Sequence, residues 1–84
     1  KFLEAKQYDE AVAGLEEVAK KYPGTYTALA AYCNLGLTYE MLRQWRQAVD
    51  NYEKTLNQGG DDPQNVDVVS FARLHRDWIV ENRL

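Results

Sequence analysis

The chain has 84 residues, of which 45% are hydrophobic and 27% charged, and a formal net charge of −3. That balance belongs to an ordinary globular chain rather than a disordered one, and its length allows one small domain with a thin core. There is no apolar run long enough for a transmembrane helix and no signal-peptide pattern, the acidic balance is a poor footprint for nucleic acid, and the lone cysteine, Cys33, excludes a disulfide framework within the chain.

Two clusters of breakers, Pro23-Gly24 and Gly59-Gly60-Asp61-Asp62-Pro63, cut the chain into three helical stretches, with no strand-like alternation. Lys1 opens the sequence without Met, and residues 1–6 already carry a helical pattern with no capping residue before them. Leu84 likewise closes on a helical pattern without a stop signal, so the chain reads as a piece of a longer one or a processed chain. The first stretch holds a soft break near Lys6-Gln7-Tyr8, where Asp9 is placed to cap a new helix. Beyond it Ala11, Val12, Leu15, Val18, Ala19 and Tyr22 recur at steps of three and four, one apolar stripe on a helix. Glu10, Glu16 and Glu17 come early and Lys20 and Lys21 late, which suits the helix dipole, and Pro23 ends the helix.

The second stretch, residues 27–57, opens on Thr25 and Thr27, either of which suits a cap. Ala28, Leu29, Tyr32, Leu35, Gly36, Tyr39 and Leu42 form its first stripe, and Trp45, Ala48, Val49, Tyr52, Thr55 and Leu56 its second. The stripe shifts phase between Leu42 and Trp45, so Arg43-Gln44-Trp45 is expected to be a tight turn without glycine, rather than the middle of one long helix. The third stretch, residues 63–84, starts at Asp62-Pro63, an N-cap followed by proline at the first helical position. Val68, Phe71, Ala72, His75, Trp78 and Ile79 are expected on one face of this closing helix. The predicted order is a helix tail followed by four helices, joined by short connections that favour antiparallel neighbours.

Two segments repeat. Gln7-Tyr8-Asp9-Glu10-Ala11-Val12 and Gln44-Trp45-Arg46-Gln47-Ala48-Val49 share Gln, an aromatic and Ala-Val at identical offsets, 37 residues apart, and a period of about 20 to 50 residues is the signature of a solenoid array. Residues 29–62 resemble a tetratricopeptide repeat along nearly their whole length. That family's pattern is a large residue, Leu-Gly, Tyr, Ala, an aromatic and a late Pro. Here Tyr32, Leu35-Gly36, Tyr39, Ala48 and Tyr52 take these places, with Gly60 where the late Pro belongs. The physics agrees: Gly36 and Ala48 are small where two helices cross, and Tyr32, Tyr39, Trp45 and Tyr52 fill the space around the crossing. Residues 1–25 look like the back half of a preceding repeat, with Phe2 and Leu3 the tail of its first helix and Ala11, Leu15 and Pro23 in matching places. Tyr22-Pro23-Gly24-Thr25 before an Ala-rich helix resembles bacterial envelope-type repeats. Residues 63–84 fit less well: a step of about 34 residues puts Val66, Val69, Ser70 and Arg73 at the large, Leu, small and Tyr positions, so this segment is a divergent or capping helix. The resemblance implies an all-α fold, antiparallel helix-turn-helix repeats stacked as a solenoid fragment within a single domain, 1–84.

In this family the first helix of each pair lines a concave groove that holds partner segments. The matching face here is Ala30, Cys33, Asn34, Leu37 and Met41, whose alternative role is to pack against a neighbouring repeat. Asn34 stands where some relatives place an Asn that binds a peptide's terminal carboxylate. That clamp also needs Lys and Arg on flanking helices, and the next helix offers Gln64 and Val68, or Asp67 and Phe71, so a carboxylate clamp is not expected. Phe71, Trp78 and Ile79 are a candidate apolar patch on the last helix, for an oligomer or partner contact. Cys33 reads as a packing residue and His75, beside Phe71 and Trp78, as a partly buried core or interface residue. Asp61-Asp62-Pro63 lacks the alternating acids of a calcium loop. No residues are spaced as a metal site, and no catalytic set, phosphate loop or cofactor motif is present. The expected function is therefore binding or scaffolding of protein partners, without nucleic acid or direct membrane insertion. Two alternatives are a structural subunit built into a larger assembly (membrane-associated or not) and a helper segment of a multidomain enzyme.

Overall fold

The computed structural model describes residues 5–84, with side chains from Gln7 onward. It is all-α, with four helices: α1 (Ala5–Lys21), α2 (Tyr26–Met41), α3 (Trp45–Gly59) and α4 (Val66–Asn82), the last preceded by a 3-10 turn over Pro63–Asn65. The helix tail expected at Phe2 and Leu3 lies outside the described residues. The expected break near Lys6-Gln7-Tyr8 is absent, because α1 runs unbroken through Asp9 from Ala5. The reason is local: no Gly or Pro interrupts Ala5–Ala13, and Ala, Lys, Gln and Glu all favour the helix.

The connections follow from cap chemistry. Thr25, not Thr27, caps α2: its Oγ1 accepts from the Ala28 N–H at 3.2 Å while its hydroxyl donates to the Tyr22 carbonyl at 2.6 Å. The α2–α3 turn is as short as the phase shift requires. Arg43 takes a left-handed φ of 60°, a conformation that costs a non-glycine residue about 1–2 kcal/mol. The turn is closed by Arg43 N–H to Glu40 O at 3.0 Å and Gln44 N–H to Tyr39 O at 2.9 Å. Gly60 ends α3 with φ 57° and donates to Leu56 O. Asp62-Pro63 does not open α4 itself. Asp62 Oδ1 caps the 3-10 turn through the Gln64 N–H at 2.9 Å, and Asn65, at φ −105° and ψ 6°, departs from helical geometry before α4 begins at Val66.

The helices pack in chain order, α1 on α2, α2 on α3 and α3 on α4, and α2 also touches α4. α2 is thus the central element, which explains why Ala28, Leu29, Ala31, Cys33, Leu35 and Gly36 are all buried around its circumference. The core gathers at the α2–α3 crossing, where Tyr52 and Ala48 are completely buried. Gly36 lets the Tyr52 ring lie directly on the α2 backbone: a Cβ placed there would fall 2.5 Å from Tyr52 Cε1. Thr55, also fully buried, donates towards the Leu29 carbonyl at 3.4 Å.

α4 sits on α3 through Val69, Ala72 and Ile79. This corrects the expected stripe: Val69 belongs to the buried face, and Trp78 lies outside it. A step of three residues leads from Val69 to Ala72 and one of seven from Ala72 to Ile79, close to one line on a 3.6-residue helix, whereas Trp78 is turned by a further 100° or so.

Two glycine substitutions test this packing in opposite directions. Gly36→Ala is expected to destabilise by roughly 1–3 kcal/mol through overpacking against Tyr52, and Gly36→Leu by more. Gly14, on the exposed side of α1, has no neighbour within 4 Å of an added Cβ. Gly14→Ala should therefore stabilise by about 0.5–1 kcal/mol from helix propensity alone. Urea unfolding of the variants reads both, and an unchanged midpoint for Gly36→Leu would contradict the crossing described here.

Candidate partner-binding groove

α2 and α4 leave a furrow on the side away from α3. Ala30, Cys33, Asn34 and Leu37 of α2 face Asp67, Val68 and Phe71 of α4 across a hollow of about 330 Å³. Asn34 and Leu37 also line a second hollow of about 590 Å³ with Thr38 and Met41, walled on the other side by α1. A third, of about 410 Å³, lies between Glu40, Leu74, His75 and Trp78. It adjoins the first through Phe71 and His75, whose rings stack at 4.1 Å and 21°.

Of the five groove positions read from the sequence, Ala30, Cys33, Asn34 and Leu37 line the hollow between α2 and α4, whereas Met41 lines only the one towards α1. Asn34 is exposed, Met41 is 62% exposed, and Ala30 and Leu37 are half-buried. Cys33 is buried, its thiol directed at the Val68 carbonyl (3.4 Å) and Thr55 Oγ1 (3.6 Å). Burial pushes the thiol pKa up, with the Thr55 bond acting in the opposite sense, so Cys33 is a packing residue and a poor nucleophile.

Phe71, Trp78 and Ile79 do not form one patch. Ile79 is completely buried in the α3–α4 core, Phe71 is half-buried edge-on to Tyr52 at 6.2 Å, and Trp78 is 46% exposed. The apolar side chain that joins Trp78 on the groove wall is Leu74, 70% exposed. Its i, i+4 spacing to Trp78 and i+3 from Phe71 carries the signal that could have found it.

A polar cluster ties the groove floor together. Glu40 Oε1 accepts from the Tyr52 hydroxyl in a short hydrogen bond and lies 2.7 Å from His75 Nδ1. These groups come from α2, α3 and α4, and no local motif announces them. Burial, and then the Glu40 bond, push the Tyr52 phenol far above its ordinary value, so it stays a donor at any physiological pH. At the other end Tyr26 donates its hydroxyl to Asp67 Oδ2 at 2.7 Å, while Asp67 Oδ1 accepts from the Val68 N–H at 2.9 Å. The Tyr26 bond first, and then the backbone bond, lower the Asp67 pKa. Among the described residues no group of three or more His, Cys, Asp or Glu is placed to hold a metal ion, and no helix is long and apolar enough to cross a membrane.

A tetratricopeptide-repeat family model matches residues 2–25 and 30–58. The chain belongs to the tetratricopeptide-repeat family. Repeats of this family are generally protein–protein interaction modules and typically non-enzymatic. No curated protein and no solved structure matches the chain, and the family match does not extend to an envelope-type subgroup. Within the tetratricopeptide pattern, Gly36 and Tyr52 are the pair that meets at the helix crossing.

Two measurements check the site's electrostatics. Native Cys33 should be alkylated by iodoacetamide at least tenfold more slowly than a free thiol at the same pH, because both accessibility and thiolate fraction are low; mass spectrometry reads the rate. Tyr26→Phe should raise the Asp67 pKa towards the ordinary carboxylate value, read by NMR titration. The sign is fixed by the lowered folded pKa: the stabilisation is present above the ordinary carboxylate pKa and is lost as pH falls through the folded one. Tyr26→Phe should flatten that acid-side dependence.

Proposed function

We propose that this chain binds a segment of a partner protein in the groove between α2 and α4, without catalysing a reaction on it and without contacting nucleic acid. The observation that carries this reading is the set of large apolar side chains left open along the groove. Leu74 and Trp78 stand 70% and 46% exposed, beside half-buried Leu37 and Phe71, and Met41, 62% exposed, opens on the hollow towards α1 that shares Leu37 with the groove. Open apolar surface in one concave stretch marks an interaction site. The net charge of −3 counts against nucleic acid. In this reading residues 1–84 act as one domain: 1–25 contribute part of a repeat, 29–62 a complete one, and 63–84 a divergent helix that forms the second groove wall.

A second reading, a structural subunit of a larger assembly, draws support from Val66, Val80 and Leu84. Val66 and Val80 are exposed on α4 and Leu84 just beyond its end, and none of them lines the hollows of the groove. One experiment separates the two. The intact protein carries a photo-crosslinking residue at position 41 or at position 80 and is recovered from its native source. Groove binding predicts adducts from position 41 to a single protein, reduced at least fivefold by Leu74→Gln. Adducts from position 80 to several co-purifying subunits, insensitive to Leu74→Gln, would favour the structural subunit.

A further inference from the structure

The groove also carries a charge pattern that specifies what it accepts. Among the described residues the acidic side chains around its three hollows are Glu10, Glu40 and Asp67, and no Lys or Arg lines any of them. The cation beside the far end, Arg83, is already held over the Trp45 and Trp78 rings at 5.1 and 5.4 Å. Glu40 is answered within the fold by Tyr52 and His75. Asp67 differs: it is exposed, among the described residues it is answered by a neutral hydroxyl and a backbone N–H, and each oxygen retains a lone pair. A carboxylate fixed in direction by two donors, at one end of an apolar furrow, is a preset acceptor for a cationic side chain.

Resting on the groove reading above, we infer that the α2–α4 groove selects a partner segment with a Lys or Arg at the Asp67 end and large apolar side chains towards Leu74 and Trp78. The wall from Asp67 to Trp78 runs along α4 for about 16 Å at 1.5 Å per residue. That is the reach of about five extended residues, so one short segment spans from the charge to the apolar end. An acidic segment on this path meets the carboxylates of Asp67 and Glu40, an unfavourable juxtaposition that a low-dielectric groove strengthens. The preference is thus for the opposite charge to a terminal-carboxylate clamp, in keeping with the lack of Lys and Arg at the clamp positions.

The test uses two synthetic fluorescent peptides with identical apolar residues and spacing, one carrying Lys and the other Glu at the charged end. Fluorescence polarisation should show saturable binding of the Lys peptide, about fivefold or more tighter than the Glu peptide and weakened by added salt. Asp67→Asn keeps an acceptor for Tyr26 and sits on the surface, so the fold is retained. It should remove the difference between the peptides. Leu74→Gln should weaken both equally. Equal affinity for the two peptides, a preference for Glu, no effect of Asp67→Asn, or no saturable binding by the Lys peptide would each overturn the inference. Charge-insensitive binding that Leu74→Gln still weakens would leave the groove reading standing, whereas binding indifferent to Leu74→Gln would remove that reading too.

Discussion

The close approach of Tyr52 to the α2 backbone at Gly36 is the constraint on which the rest of the structure depends. A completely buried tyrosine ring pressed where a Cβ would sit fixes both the distance between α2 and α3 and their rotation. The same ring carries its hydroxyl to Glu40, so one side chain both packs the crossing and supplies a directed polar bond. Burying a phenol needs such a partner, since an unanswered buried hydroxyl costs about 1–3 kcal/mol. Among the described residues no buried side-chain polar atom lacks a partner.

From that crossing the groove follows. With α3 held behind it, α2 is covered by α1 on one side and touched by α4 on the other, which leaves one strip of α2 open. Asn34, Leu37 and Met41 occupy that strip because the helical period places them there, while Leu35 and Gly36 one or two residues away are buried. α4 is aimed by its own buried line, Val69, Ala72 and Ile79, and by the His75–Glu40 contact that ties it to α2. The side chains rotated off that line, Asp67, Phe71, Leu74 and Trp78, become the second wall. The open furrow is thus the complement of the packing surface, and charge remains on it where it can be hydrated or hydrogen-bonded, as at Asp67.

Much of this was legible in the residues because it is governed by local chemistry. The breakers at Pro23-Gly24 and Gly59-Gly60, the phase shift between Leu42 and Trp45 and a threonine cap at position 25 or 27 act within one or two helical turns. The paired Gln–aromatic–Ala-Val segments, and the Leu35-Gly36 to Tyr52 spacing, carried the family and with it the all-α repeat architecture. The misplaced details also have local causes. Asp9 carries cap chemistry but sits inside a run of helix formers, and Asp62-Pro63 satisfied a start signal that the short 3-10 turn absorbed first.

The sequence by itself therefore determined the helices, their repeat relationship and the face of α2 that stays open, since each rests on periodicity or capping within a single element. Only the tertiary structure decided which apolar residues of α4 are buried. Val68, Val69, Phe71, Ala72, Leu74, Trp78 and Ile79 populate most of the helix circumference, so the period alone cannot choose a buried centre. It also decided the long-range polar pairs: Glu40 and His75 are 35 residues apart and Tyr26 and Asp67 are 41 apart. Such pairs depend on how three helices are rotated about one another, and that rotation is set by the volume of Tyr52 against Gly36 rather than by any signal near the residues themselves.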